Sequence, residues 1–183
     1  SYVSLLERRY AASLDQDARD FIAFAHDGAV RMDRLIVDLL EYSRIGRNTV
    51  ASDRADMNRV MDEVLGNLKV VLAESNGRIA LCDPLPAIKG NHTDLVRLFQ
   101  NLLDNAIKYS APDRPPEIRI SAEIHDNRLT VSIKDNGIGI EPEYFDTIFR
   151  VFQRLHTPGT YEGTGIGLAI CKKVVDQHQG SIV

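Results

Sequence analysis

The sequence predicts an α+β protein: a helical hairpin segment followed by an α/β sandwich whose helices cover one face of a mixed sheet. Three observations lead there. Between Asp17 and Ser43 the apolar or small residues Phe21, Ala25, Gly28, Met32, Leu35, Leu39 and Tyr42 alternate spacings of four and three, the seam of a bundled helix. Residues 117–124 and 128–134 alternate apolar and polar side chains about His125-Asp126-Asn127, as the arms of a β-hairpin do. Segments of helical periodicity stand between the strand-like runs, which implies helices laid on a sheet.

Taken in order, residues 1–20 read as the end of one helix, a polar turn and the start of the next. Leu5, Leu6 and Tyr10 give the first an apolar face, and Ser13-Leu14-Asp15-Gln16-Asp17 supplies turn and capping chemistry. The second helix carries a further apolar line, Ile22, Ala29 and Ile36, so its stripe is too broad for two helices to bury. An antiparallel hairpin that pairs with its own copy in a four-helix dimer is expected. Ile45 to Asp53 lacks periodicity and reads as a linker. Then come a helix over 57–74, strands near 78–82 and 87–89, a strong helix over 93–109, the hairpin, a short helix over 143–149, an irregular stretch to Gly163, a helix over 166–177 and a final strand.

Composition narrows the function classes. With 183 residues and 44% hydrophobic side chains, the chain can build one ordinary domain and a smaller element. Its net charge of −4 leaves no electrostatic footprint for nucleic acid. No apolar run is long enough to cross a bilayer. Cys82 and Cys171 lie far apart without metal-ligand spacing, so two buried thiols in a reducing compartment are expected. The chain opens at Ser1 in mid-pattern and stops at Gly180-Ser181-Ile182-Val183, at the beginning of a strand. Both ends read as cut from something larger.

Three segments ask for a nucleotide. In QNLLDNAIKYS, Asn101 and Asn105 lie four apart on one helix face, with Lys108 about a turn beyond. Amide oxygens suit magnesium and an ammonium suits phosphate, although a plain polar face fits this segment equally well. In KDNGIGI, Gly137 and Gly139 permit close ligand approach, and Asp135 can accept from an exocyclic amine. Asn136-Gly137 is also an ordinary turn. In EGTGIGLAICKKVV, Gly163, Gly165 and Gly167 lead into a helix whose N-terminal amides favour phosphate. No G-K-[ST] closes these glycines and no parallel βαβ unit surrounds them, so neither the Walker nor the Rossmann pattern applies. By residue type Leu168, Ile170 and Val174 read as core.

In this order the three segments resemble the ATP-binding domain of sensor histidine kinases, the Bergerat-type nucleotide fold. QNLLDNAIKYS is similar to the N box, DNGIGI to the first glycine box and GTGIGLAI to the second. FDTIFRVFQRLH resembles the F box, with Phe145, Phe149 and Phe152 on its apolar side. LLERRY and LLEYSRIGR look like the dimerisation hairpin of phytochrome-type kinases, as does QRLH. The resemblance implies a hairpin over 1–46, truncated at its N-terminus, and a catalytic ATP-binding domain over 47–183 that lacks its last strand.

The resemblance also implies roles. Asn105 would coordinate Mg2+ with Asn101 beside it. Lys108 would contact phosphate, and Tyr109 would pack along the nucleotide. Asp135 would bind the adenine amine, supported by Gly137 and Gly139. Arg154 would reach the terminal phosphate. Gly163, Thr164, Gly165, Gly167 and Leu168 would line the nucleotide at the hinge of a lid over 153–163. ATP and Mg2+ would be the cofactors and the activity that of an ATP-dependent protein-histidine kinase. The implied partners are a second copy bound through the hairpin, a response-regulator receiver domain and an N-terminal sensory domain of the parent chain. No nucleic acid and no direct membrane contact are implied, and the location is cytoplasmic.

Related gyrase-type and chaperone-type ATPases carry a water-activating glutamate one turn before the magnesium asparagine. Here that position is Asn101, whose amide does not accept a proton at neutral pH. A transferase is therefore expected ahead of a hydrolase or a non-catalytic nucleotide-binding dimerisation module. His26-Asp27 resembles the acceptor pair of the family, but the expected proline is Arg31 and the helix is the second, not the first. The acceptor is expected about three helical turns before Ser1. His92, His125 and His178 are poor acceptors by position. His156 falls in the lid, where QRLH would allow it to touch nucleotide.

Overall fold

Asp56 and Asn91 open the two helices that frame the larger part of the chain. The Asp56 carboxylate accepts from the Asn58 N–H at 3.0 Å, and the Asn91 amide oxygen accepts from the Asp94 N–H at 3.1 Å. Such caps satisfy amides that have no partner inside the helix. The helices belong to a computed structural model that describes residues 2–10, 14–46, 54–82, 84–126, 128–155 and 163–183.

The chain divides into two compact units, Ser1–Glu41 and Tyr42–Val183. The first holds helix α1 (Tyr2–Tyr10) and most of helix α2 (Gln16–Arg44). Asp15 starts α2 by accepting from the Ala18 N–H at 2.8 Å. No α2 side chain is fully buried; Phe21 and Met32 of the expected seam are 71% and 61% exposed. Among the described residues of this unit, the stripe is half-buried at Ile22, Gly28, Ala29 and Leu35 and otherwise exposed.

The second unit runs through strand β1 (Arg54–Asp56), helix α3 (Met57–Glu74), strands β2 (Arg78–Leu81) and β3 (Ala87–Lys89), helix α4 (His92–Lys108), strands β4 (Glu117–His125) and β5 (Arg128–Lys134), and helix α5 (Gly167–Gln177). Strand β2 runs parallel to β4 and β5 antiparallel to it, giving a mixed sheet in the order β2-β4-β5. The register pairs Ile79 with Ile118, Ile120 with Ile133 and Ala122 with Val131, which puts one apolar row on one face. Ile118 and Ile120 are buried, whereas Arg78, Glu117, Arg119 and Lys134 on the other face are exposed. Helix α3 buries Met57, Val60, Met61, Val64 and Leu68 at helical spacing. Helix α4 buries Leu95, Leu98, Phe99, Leu103 and Ile107 and packs between α3 and α5. The result is the α+β sandwich expected from the sequence, with helices on one face of a mixed sheet.

Four expectations change. Strand β1, which pairs antiparallel with β3, was hidden in the approach to α3 because three residues are too few to display alternation. The short helix expected over 143–149 is a 3-10 turn, Pro142–Tyr144, followed by further turns. Thr147 explains part of this, since its hydroxyl donates to the Tyr144 carbonyl at 3.0 Å and competes with the helical ladder. Phe145 is 53% exposed, so little burial favours a longer helix. Residues 181–183 form no strand and pair with neither sheet. Finally, Cys82 is exposed and only Cys171 is buried. Most of the expected linker and lid, residues 47–53 and 156–162 with His156, lies outside the described residues, as does Asn127 of the hairpin turn.

Candidate nucleotide-binding site

A cavity of about 380 Å3 opens between α4, β5 and the start of α5. That volume falls within the roughly 300–1,000 Å3 range of small-molecule sites. Leu102 and Ala106 of α4 and Val131 and Ile133 of β5 give it an apolar wall. Asn105, Tyr109, Asp135 and Arg154 bring polar groups to its rim, with Gly139 and Leu168 beside them. A hollow of about 610 Å3 on the outer sheet face, lined by Arg78, Arg119, Lys134, Asp135 and Asn136 among others, includes no residue of α4 or α5 and makes a poorer nucleotide site.

Asp135 directly follows β5 and its carboxylate accepts from the Gly137 N–H at 2.8 Å, an Asx turn that fixes its direction. Asn136 anchors the same turn to the sheet, accepting from the Glu117 N–H at 2.9 Å and donating to the Pro115 carbonyl at 3.1 Å. On the other side the Ile138 N–H donates to the Tyr109 carbonyl at 3.0 Å. A Cβ on Gly137 would lie 2.5 Å from that oxygen, so only glycine fits. The end of α4 and the glycine turn after β5 are therefore one rigid corner, with Asp135 exposed on it.

The phosphate side is built differently. The Lys108 ammonium lies 4.4 Å from the centroid of the Tyr109 ring and beside the Gly163 backbone, where a Cβ would come within 2.8 Å of Nζ. Helix α5 begins at Gly167 after a buried Ile166, and no side chain of the described residues caps it. Its first-turn amides are thus available to an anion. Thr164 accepts from the Ile166 N–H at 3.4 Å just before the helix. Gly165 has φ +75° and its carbonyl accepts from the Phe152 N–H at 2.9 Å, closing the two ends of the lid segment on each other.

Of the residues expected from the sequence, Asn105, Tyr109, Asp135, Gly139, Arg154 and Leu168 converge on the cavity. Gly137 supports Asp135 from behind, and Lys108, Gly163, Thr164 and Gly165 stand toward the start of α5. Asn101 does not line the cavity: its amide nitrogen donates to the Arg97 carbonyl of its own helix at 2.8 Å, and its oxygen faces Gly167. Burial pushes the neighbouring Asp104 carboxyl up, against the Gln100 hydrogen bond and the Lys108 charge. The apolar wall, including Ile138, Ile148 and Leu155, was not identified from the sequence, because such residues carry only a core signature.

An uncapped helix start, a lysine ammonium, a side-chain amide oxygen and an amine-accepting carboxylate around an apolar slot suit a purine nucleotide with a hard divalent cation. Asn105 brings a side-chain amide to the cavity, a group of the kind a hard cation takes, and the glycine backbone leaves space that side chains would fill.

Comparison with known proteins agrees with this chemistry. Residues 90–183 match the family described as histidine kinase-, DNA gyrase B- and HSP90-like ATPase. The whole chain is 46% identical to part of cyanobacterial phytochrome A of Nostoc sp. and 43% identical to part of the phytochrome-like protein Cph1 of Synechocystis sp.. It spans about a quarter of the length of these relatives, 24% in each case. Among solved structures it is similar to the mycobacterial sensor histidine kinase MprB, with a TM-score of 0.59 and 29% identity over 72% of this chain and 83% of that one. The fold also matches histidine kinase ThkA in its complex with the response regulator protein TrrA, with a TM-score of 0.68 and 20% identity over 98% of this chain and 51% of that one. With the match running from the loop before α4 through α5, the chain belongs to the histidine kinase-, DNA gyrase B- and HSP90-like ATPase family.

Proposed function

We propose that this chain is the catalytic core of a cytoplasmic, phytochrome-like sensor histidine kinase. It would bind Mg-ATP, transfer the γ-phosphoryl group to a histidine, and pass it to an aspartate of a response regulator. The observation that carries the reading is the cavity joining Asn105, Asp135 and Arg154 beside the uncapped start of α5. Bound Mg-ATP would supply the phosphoryl group and a cation that offsets phosphate charge. Asn105 holds the cation, Asp135 accepts from the adenine amine, and Tyr109 packs along the nucleotide. Lys108, Arg154 and the amides from Gly163 to Leu168 hold the phosphates, with Gly137 and Gly139 giving access. Such catalysis rests on positioning and charge stabilisation.

Asn101 favours transfer over hydrolysis. It occupies the place of the water-activating glutamate, and its amide is engaged by the Arg97 carbonyl. None of the five histidines of residues 1–183 is the acceptor in this reading. His26, with Nδ1 3.8 Å from the Asp27 carboxylate, is a surface residue of α2 in this reading. The exposed stripe of α2 supports a dimerisation role for the hairpin over 1–46, and the similarity to ThkA, solved with its response regulator, supports a receiver-domain partner. No described helix is long and apolar enough to cross a membrane. Phosphate release by this chain alone tests the choice: with excess Mg-ATP it should stay at the level of an Asn105→Ala control. Sustained release above that level overturns transfer in favour of hydrolysis.

A further inference from the structure

Helices α4 and α5 touch through small groups. Gly167 and Cys171, four residues apart on α5, face Asn101 and Leu98, three apart on α4. The Cys171 thiol donates to the Leu98 carbonyl at 3.6 Å. One turn nearer the cavity, a Cβ on Gly167 would come 2.6 Å from Asn101 Oδ1, 3.5 Å from its Cγ and 3.9 Å from its Cβ. The Asn101 side chain cannot simply swing away, because its Nδ2 is tied to the Arg97 carbonyl at 2.8 Å. The next residue on α5, Leu168, and the residue one turn on along α4, Asn105, both line the cavity.

We infer that Asn101 is a positioning residue rather than a metal ligand. Its hydrogen-bonded amide is a spacer against Gly167, setting the distance between Asn105 and the first-turn amides of α5. The inference rests on the nucleotide-site reading above for its consequence, not for its geometry. The spacer explains why glycine stands at the first position of α5, where alanine would favour the helix. It also explains why Asn101, although on the same face as Asn105, turns its nitrogen inward to its own helix.

The test is a pair of substitutions. In the native background Gly167→Ala forces a side chain against Oδ1 and should lower the melting temperature and weaken nucleotide binding about tenfold. In an Asn101→Ala background the obstacle is gone, so Gly167→Ala should raise the melting temperature through helix propensity and recover most of the lost affinity. Asn101→Ala alone should weaken binding of a fluorescent ATP analogue by the same factor with Mg2+ and with EDTA. Exchange of the Leu168 and Ala169 amides, followed without nucleotide, should quicken in that variant. The spacer is overturned if Gly167→Ala is harmless in the native background, or if the double variant is worse than Gly167→Ala alone. A loss of affinity confined to the Mg2+ arm would make Asn101 a ligand and likewise overturn it. Should Gly167→Ala alone fail to fold, the double variant still decides, since the spacer requires that it fold. Melting and exchange need no nucleotide, so a native chain that binds none would sink the site reading while leaving the spacer to be judged on its own.

Discussion

The Ile138 N–H donates to the Tyr109 carbonyl at 3.0 Å, and this bond joins the last turn of α4 to the glycine turn after β5. Gly137 is what allows the approach, since a Cβ there would meet the Tyr109 oxygen at 2.5 Å. Gly137→Ala should therefore destabilise the chain by about 1–3 kcal/mol, the usual cost of overpacking. Nucleotide affinity should fall with it, because Asp135 rides on the same turn. Thermal unfolding with and without nucleotide measures both effects; an unchanged melting temperature would mean that the corner is not rigid.

Asp135→Asn keeps an oxygen for the Gly137 N–H but replaces the other acceptor with a donor. A hydrogen bond from an amine to a carboxylate contributes about 1.5–3 kcal/mol, so ATP should bind roughly ten- to a hundredfold more weakly. Competition between adenine and guanine nucleotides is the discriminating measurement. If the native preference for adenine survives the substitution, Asp135 does not read the base.

The two thiols should behave oppositely. Cys82 is exposed and should react rapidly with a disulfide reagent at pH 8, whereas Cys171 should react only after unfolding. Burial pushes the Cys171 thiol from an ordinary 9.0 up to about 12. The unfolded chain gives up this proton first, so the associated stability is complete below pH 9 and is lost as pH rises toward 12. Urea midpoints across that window should fall less steeply for Cys171→Ala than for the native chain.

The stripe on α2 predicts self-association. Met32→Glu and Leu39→Glu place charges on residues that are 61% and 48% exposed, so the chain should keep its fold while the dimer weakens. Burying a side chain of this size contributes roughly 1.5–3 kcal/mol, so each change should shift dissociation by about tenfold or more. Sedimentation equilibrium reads this directly; a native chain that stays monomeric at high concentration would refute the dimer face.

Much of the fold was legible because its signals are local. Helices α3 and α4 carry apolar residues at helical spacing, which the structure buries. The β4–β5 hairpin follows from period-two alternation. What sequence could not carry was information held between elements. Strand β1 exists through its pairing with β3. The stretch after Pro142 stays in turns because Thr147 bonds the Tyr144 carbonyl and Phe145 finds no core. For the site, glycines and amides mark a nucleotide by chemistry, yet which of two asparagines faces the cavity depends on the packing of α5. Asn101 and Asn105 share a helix face, but Asn101 bonds the Arg97 carbonyl and faces Gly167 while Asn105 lines the cavity.

Transfer of label tests the kinase reading most directly. The chain is incubated with γ-labelled ATP and Mg2+, with and without a hairpin from a related kinase that carries the first-helix histidine. The account predicts acid-labile, base-stable label on the supplied hairpin, dependent on Asn105 and retained by His26→Ala. Free labelled phosphate accumulating without the hairpin, or an unlabelled hairpin despite bound nucleotide, would contradict it.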